Sequence, residues 1–115
     1  MQRRLDSHKG ENGKVAVVGG SASMHGAPIL SALAAEAAGA DLVFLTLPAL
    51  HAPVARTRSL NLQVTPFAGD ELSPGDVDPL LQLLATVDCA VIGPGLTRSE
   101  EGLAALADLV GSAAC

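Results

Sequence analysis

The run Lys14-Val15-Ala16-Val17-Val18-Gly19-Gly20 decides how the rest of the chain is read. A short, almost fully apolar run closed by two glycines is what a strand buried on both faces of a parallel sheet requires, because helices rather than water cover each face. Beyond it, Ser21-Ala22-Ser23-Met24-His25-Gly26 is a loop of small and polar residues. Pro28 then suits the first turn of a helix, where its missing N–H is not needed, and Gly39 suits the stop. Between them Ile29, Leu30, Leu33, Ala34, Ala37 and Ala38 recur at the three-and-four spacing that buries one helix face, and the alanines allow close approach to a sheet. Asp41 opens a second apolar strand over 42–47, which completes a βαβ unit.

Residues 48–60 read as a short helix plus a loop, because Pro53 interrupts any longer helix and Arg56 and Arg58 add polarity. Leu62-Gln63-Val64-Thr65-Pro66-Phe67 alternates apolar with polar and contains a proline, so it is expected at the edge or end of a sheet. A loop is expected over 69–78, with Asp76 or Asp78 capping a helix that carries Leu80, Leu81, Leu83 and Leu84. Asp88-Cys89-Ala90-Val91-Ile92-Gly93 reads as another buried strand, ended by Gly93-Pro94-Gly95. A last helix from about residue 99 to 110 would bury Leu103, Leu106, Ala107 and Val110 and stop at Gly111. Strand and helix alternate throughout, which predicts an α/β fold of three layers, αβα, with a mainly parallel sheet.

Composition agrees with a folded domain and removes several functions. A chain of 115 residues buries on the order of two-thirds of its unfolded surface without a disulfide or metal staple. With 49% hydrophobic and 17% charged residues it is too apolar for a solvated linker. Lys+Arg 7 against Asp+Glu 12 gives a net charge of -5, and the cations are scattered except at Arg3-Arg4. No nucleic acid partner is expected, since a backbone-tracking groove needs clustered cations with stacking aromatics, and Phe44 and Phe67 sit in apolar runs that read as core. No apolar stretch reaches the roughly 20 residues of a membrane span, and the start is polar, so the expectation is no membrane and a cytoplasmic setting. Cys89 lies in a strand pattern and Cys115 is the last residue; neither has a partner at metal or redox spacing.

Ligands of open parallel sheets bind at the carboxyl ends of strands, so the loops 19–28 and 93–97 have first claim on chemistry. The first presents backbone N–H groups and hydroxyls beside a helix N-terminus, where an anion is favoured. It is neither a dinucleotide fingerprint nor a phosphate-binding P-loop, and a tight turn with no ligand remains open on these residues alone. In the second, two glycines permit close backbone approach, while Thr97 with Glu100 three residues on fits an ordinary capping box. His8, His25 and His51 share no metal or nucleophile-and-base spacing, and each reads as a lone surface or loop histidine. No metal site is argued. Asp70-Glu71, Asp76 with Asp78, and Glu100-Glu101 read as solvated or dipole-compensating charge. Ser21 and Ser23 suit a phosphate or substrate, but no G-x-S-x-G turn and no base accompany them, so a serine hydrolase is not expected.

Taken in order, Ser7-His8-Lys9-Gly10 with Gly13-Lys14-Val15, then Val18-Gly19-Gly20-Ser21, Gly26-Ala27-Pro28, Ala38-Gly39-Ala40-Asp41-Leu42-Val43 and Ile92-Gly93-Pro94-Gly95-Leu96 resemble the NAD(P)H-hydrate dehydratase family over nearly the whole chain. The resemblance implies a ribokinase-like fold and a repair activity, in which ADP or ATP, with Mg2+, serves to dehydrate hydrated NADH or NADPH. It further implies that Ala27 and the Gly93-Pro94-Gly95 loop line the pocket for the hydrated nucleotide, that Gly19, Gly20 and Ser21 shape the same cavity, and that Lys9 and Gly10 close over it. A small Ala27 at a helix N-terminus leaves room for a bulky ligand, and the glycines would let its phosphates meet backbone N–H groups. Homo-oligomers are implied as well.

Two departures accompany the resemblance. Thr97 stands where the family usually shows a further glycine after Gly-Pro-Gly-Leu. Family members are also more than twice as long, and the Gly-Thr-Gly-Asp loop whose aspartate is their presumed catalytic base does not occur here. Residues 1–115 are therefore expected to be the N-terminal portion of a single dehydratase domain, inactive alone, with apolar faces left exposed. The alternatives are a small-molecule kinase of the ribokinase-like superfamily and a non-catalytic nucleotide-binding or assembly fragment.

Overall fold

The computed structural model describes residues 13–96 and 99–113. Its elements in chain order are β1 (Lys14–Val18), α1 (Gly26–Ala37), β2 (Leu42–Thr46), α2 (Ala52–Arg56), β3 (Leu62–Val64), α3 (Val77–Leu84), β4 (Cys89–Ile92) and α4 (Glu100–Ser112). Single 3-10 turns, Ala49–His51 and Pro74–Asp76, precede α2 and α3. The strands form one sheet in the order β3-β2-β1-β4, and each adjacent pair is parallel.

Successive side chains of a strand point to opposite faces, and β1 divides the core accordingly. Ala16 and Val18 join Leu80, Leu84, Ala105 and Leu109 in a buried cluster beneath α3 and α4. Val17 joins Val43, Leu45, Ile29, Ala32 and Ala55 in a second buried cluster beneath α1 and α2. The expected three layers are present, with helices on both faces of a parallel sheet. The proline-bearing segment after residue 61 forms the edge strand β3, and Gly39, at φ 103, follows the C-cap of α1. Phe67 is buried as expected. No helix among the described residues is long and apolar enough to cross a membrane.

Several local expectations are corrected. In α1 the buried residues are Pro28, Ile29 and Ala32, whereas Leu30 is 68% exposed and Ala34, Ala37 and Ala38 also face out. In α4 they are Gly102, Ala105 and Leu109, with Leu103 and Val110 exposed. An alanine-rich helix carries several stripes of similar apolarity, so spacing alone does not select which of them meets the sheet. The helix also runs through Gly111 to Ser112, and its N-cap is Ser99, whose Oγ accepts the Gly102 N–H at 3.0 Å. Thr97 lies outside the described residues.

The strand β4 is not buried. It is an edge of the described sheet, with Cys89 exposed and Val91 40% exposed, because among the described residues no strand pairs with its outer side and nothing covers these two side chains. Asp76 is buried rather than solvated. Its Oδ2 accepts from Ser73 N at 3.0 Å and Ser73 Oγ at 3.1 Å, and its Oδ1 accepts from Ala68 N at 3.0 Å. That carboxylate ties the 68–76 segment together ahead of α3, since a buried polar group is tolerated only when it is hydrogen-bonded.

Candidate functional site at the β1–β4 switch point

Val18 is in register with Thr46 on one side and Ile92 on the other, so β2, β1 and β4 end level with one another. From β1 the chain moves through α1 to β2 and on to β3, whereas β4 lies on the other side of β1 and is covered by α3 and α4 on the opposite face. The strand order thus reverses between β1 and β4, and the crevice outside such a switch point is where open α/β sheets bind ligands. The loops that leave β1 and β4 are the two glycine-rich segments of the sequence.

These loops are docked on each other. The Gly20 N–H donates to Pro94 O at 2.7 Å, and the Gly19 N–H donates to Thr46 O at 3.1 Å. A Cβ placed on Gly19 would lie 2.3 Å from Pro94 O, so a residue without a side chain is what the approach requires. Gly95, at φ +77, stacks on the same loop: its Cβ position would be 3.4 Å from the Gly20 Cα and 3.6 Å from the Met24 Cβ. Gly93, at φ +126, has nothing within 4 Å of its Cβ position and therefore borders open space.

The accounting of donors differs from the sequence expectation. Besides Gly19 and Gly20, the Ser21 N–H donates to Met24 O at 3.0 Å and the Ala22 N–H to Glu71 Oε1 at 3.1 Å. All four N–H groups thus hold the protein together rather than stand free for a phosphate. The first turn of α1 is different, because the opening N–H groups of any helix lack an intrahelical acceptor and the N-cap His25 makes no side-chain cap bond. Ala27 is exposed in that turn.

A residue that the sequence reading set aside completes the arrangement. His51 is buried at the end of the turn after β2, and its Nε2 lies 2.8 Å from Ser21 O. The ring of His25 packs against it at 5.2 Å between centroids, tilted by 41°. No sequence spacing points to this contact; it arises because β1 and β2 pair in register and end level. Ser21 is itself fully buried, and its Oγ has no hydrogen-bond partner among the described residues. An unpaired buried hydroxyl is destabilising by about 1–3 kcal/mol, so Ser21→Ala is expected to leave stability unchanged or raise it by about 1 kcal/mol. Thermal melting checks this, and a loss of that size would instead reveal a bound partner for the hydroxyl.

Of the residues singled out from the sequence, Gly19, Gly20, Ser21, Gly93 and Gly95 are thus assembled in one place, and Ala27 follows on the adjoining helix. Lys9 and Gly10 lie outside the described residues. No three His, Cys, Asp or Glu side chains among the described residues gather to hold a metal.

Comparison with known proteins identifies the family and the fold. The family model described as NAD(P)H-hydrate dehydratase matches residues 15–114. The chain belongs to the NAD(P)H-hydrate dehydratase family. Within this family it is similar to the ADP-dependent (S)-NAD(P)H-hydrate dehydratase of Cenarchaeum symbiosum, 48% identical over 99 residues that make up 85% of this chain and 34% of that protein. The ATP-dependent (S)-NAD(P)H-hydrate dehydratase of Entamoeba histolytica is 39% identical over 99 residues, 86% of this chain and 32% of that protein. The bifunctional NAD(P)H-hydrate repair enzyme Nnr of Pyrobaculum aerophilum is 40% identical over 107 residues, 93% of this chain and 21% of that protein. The chain spans about a third of the length of the dehydratases it matches. Among solved structures, a ribokinase-like superfamily protein from Enterococcus faecalis superposes with a TM-score of 0.81 at 24% identity, covering 96% of this chain and 37% of that one. The fold is therefore ribokinase-like. Both glycine loops fall inside the span matched by the dehydratase family model, whereas Lys9 precedes it.

Proposed function

We propose that this chain forms the nicotinamide-nucleotide side of an enzyme that uses ADP or ATP to remove water from hydrated NADH or NADPH, returning the damaged cofactor to use. The observation that carries the reading is the docking of the Gly19–Gly20 and Pro94–Gly95 backbones at the switch point of a dehydratase-family sheet. In this reading Gly19, Gly20 and Ser21 form the floor of the site, Gly93 and Gly95 border it, and Lys9 closes over it. The N-terminus of α1 faces the ligand phosphates, and the methyl group of Ala27 leaves room for them. The four committed N–H groups support assigning phosphate contacts to the helix rather than to the glycine loop.

The described residues offer no acidic cluster suited to Mg2+. Activation by ADP or ATP with magnesium belongs, in this proposal, to the parts of the relatives that this chain does not match. Residues 1–115 are read as the N-terminal portion of one dehydratase domain. Self-association as a homo-oligomer is supported by the exposed Leu30, Leu50, Leu103 and Val110.

Calorimetric titration of the 115-residue chain with hydrated NADH tests the reading. Binding without turnover is expected, and Ala27→Trp is expected to weaken it by about tenfold or more, equivalent to 1.4 kcal/mol. The melting temperature should stay unchanged, because position 27 is exposed. Absence of binding by the unaltered chain would overturn the assignment of the nucleotide to this site.

A further inference from the structure

The β1–α1 loop has to hold one shape for the α1 N-terminus to face a ligand, and its two halves are held in different ways. Gly19 and Gly20 are tied by backbone bonds to Thr46 and Pro94. After Gly20 the chain turns back on itself in an isolated antiparallel bridge, with Ser21 N donating to Met24 O at 3.0 Å and Met24 N to Ser21 O at 3.2 Å. That bridge closes the turn internally but does not anchor it. It is attached to the rest of the molecule by an exposed bond from Ala22 N to Glu71 Oε1, by the packing of Met24 beside Gly95 and by the buried contact of His51 Nε2 with Ser21 O.

We propose that His51 is a positioning residue of the nucleotide site: it anchors the Ser21–Met24 turn and thereby sets the direction in which the N-terminus of α1 meets the ligand. A carbonyl oxygen only accepts, so the 2.8 Å contact requires the proton on Nε2, which fixes the tautomer of a neutral ring. The same ring packs against His25, the N-cap of α1, at 5.2 Å. One side chain from the turn after β2 thus touches both ends of the 21–25 segment, at Ser21 and at His25. The Met24 side chain, 3.6 Å from the Cβ position of Gly95, is held toward the β4 loop by the turn that His51 anchors. The inference rests on the nucleotide reading given above, and the experiment separates the two.

Three proteins suffice: the unaltered chain, His51→Phe, which keeps a ring without the donor, and His51→Gln, which restores an N–H donor at comparable reach. A neutral hydrogen bond of this kind contributes about 1 kcal/mol, so His51→Phe is expected to raise the Kd for hydrated NADH by roughly five- to tenfold. His51→Gln is expected to return it to within about twofold of the unaltered chain, a rescue that a residue serving only to fill space would not give. Unchanged affinity in His51→Phe, or no recovery in His51→Gln, overturns the proposal. Amide hydrogen exchange on the ligand-free proteins supplies the second readout. The Met24 amide is expected to exchange roughly five- to tenfold faster in His51→Phe while the Val17 amide in β1 keeps its rate, because only the turn is released. Equal Met24 rates overturn the anchoring role even if no protein binds hydrated NADH, in which case the absent binding by the unaltered chain counts against the nucleotide reading alone.

Discussion

Gly19→Ala is expected to destabilise the chain by about 3 kcal/mol, the upper end of the usual range for forcing an extra methyl group into packed structure. A domain of this size loses roughly 4 °C of melting temperature per kcal/mol, so the midpoint should fall by about 12 °C. The added Cβ would sit 2.3 Å from Pro94 O and 3.2 Å from both the Pro94 carbonyl carbon and the Pro28 Cβ. None of these is the end of a flexible side chain. Pro94 O also accepts the 2.7 Å bond from Gly20 N, so making room for the methyl group pulls the β1 and β4 loops apart and breaks the bond that joins them. Gly26→Ala is the matched control, because nothing lies within 4 Å of its Cβ position and alanine is the better residue in a helix. Thermal melting followed by circular dichroism should show the first far below the second; equal midpoints would mean that the two loops do not touch as described.

Leu84→Ala is expected to cost a similar amount, about 3 kcal/mol within the 2–5 kcal/mol typical of such truncations. Leu84 ends α3 with no exposed surface, in the cluster that includes Ala16 and Val18 of β1 and Leu109 of α4. Removing its isobutyl group leaves a cavity that three elements would have to move together to fill. Leu83 on the same helix is half-buried, so Leu83→Ala should cost less than half as much. Urea titration distinguishes them: a lower midpoint at unchanged slope for Leu84→Ala reports lost stability, and equal midpoints for the two variants would place the core elsewhere.

The two substitutions probe different degrees of legibility. Leu84 belongs to a helix whose leucines could be found by spacing, and all four of the singled-out leucines belong to or pack against one cluster. Periodicity does not pick the buried stripes of α1 and α4, because alanine and glycine are apolar enough to occupy any face of a helix. Asp76 resembles its neighbour Asp78 in sequence, yet one is buried and the other exposed. The difference is the position of Ala68 N and Ser73 relative to its carboxylate. His51 was invisible for the same reason, since its partner is a backbone carbonyl 30 residues away that no side-chain pattern advertises.

Sequence alone determined the kinds of elements and their order, the glycines that end β1 and β4, and the family to which the loops belong. These depend on contacts within a few residues: alternation along a strand, the first turn of a helix, a residue free to adopt positive φ. Tertiary structure decided that β4 lies beside β1 rather than beyond β3, and therefore that Gly19 and Gly20 meet Pro94 and Gly95. It also decided that the N–H groups of the first glycine loop are consumed in that meeting, and that a histidine after β2 holds the turn between them. Strand order follows from how helices cover the two faces of the sheet, a balance of contacts between residues distant in the chain, and so a local pattern cannot carry it.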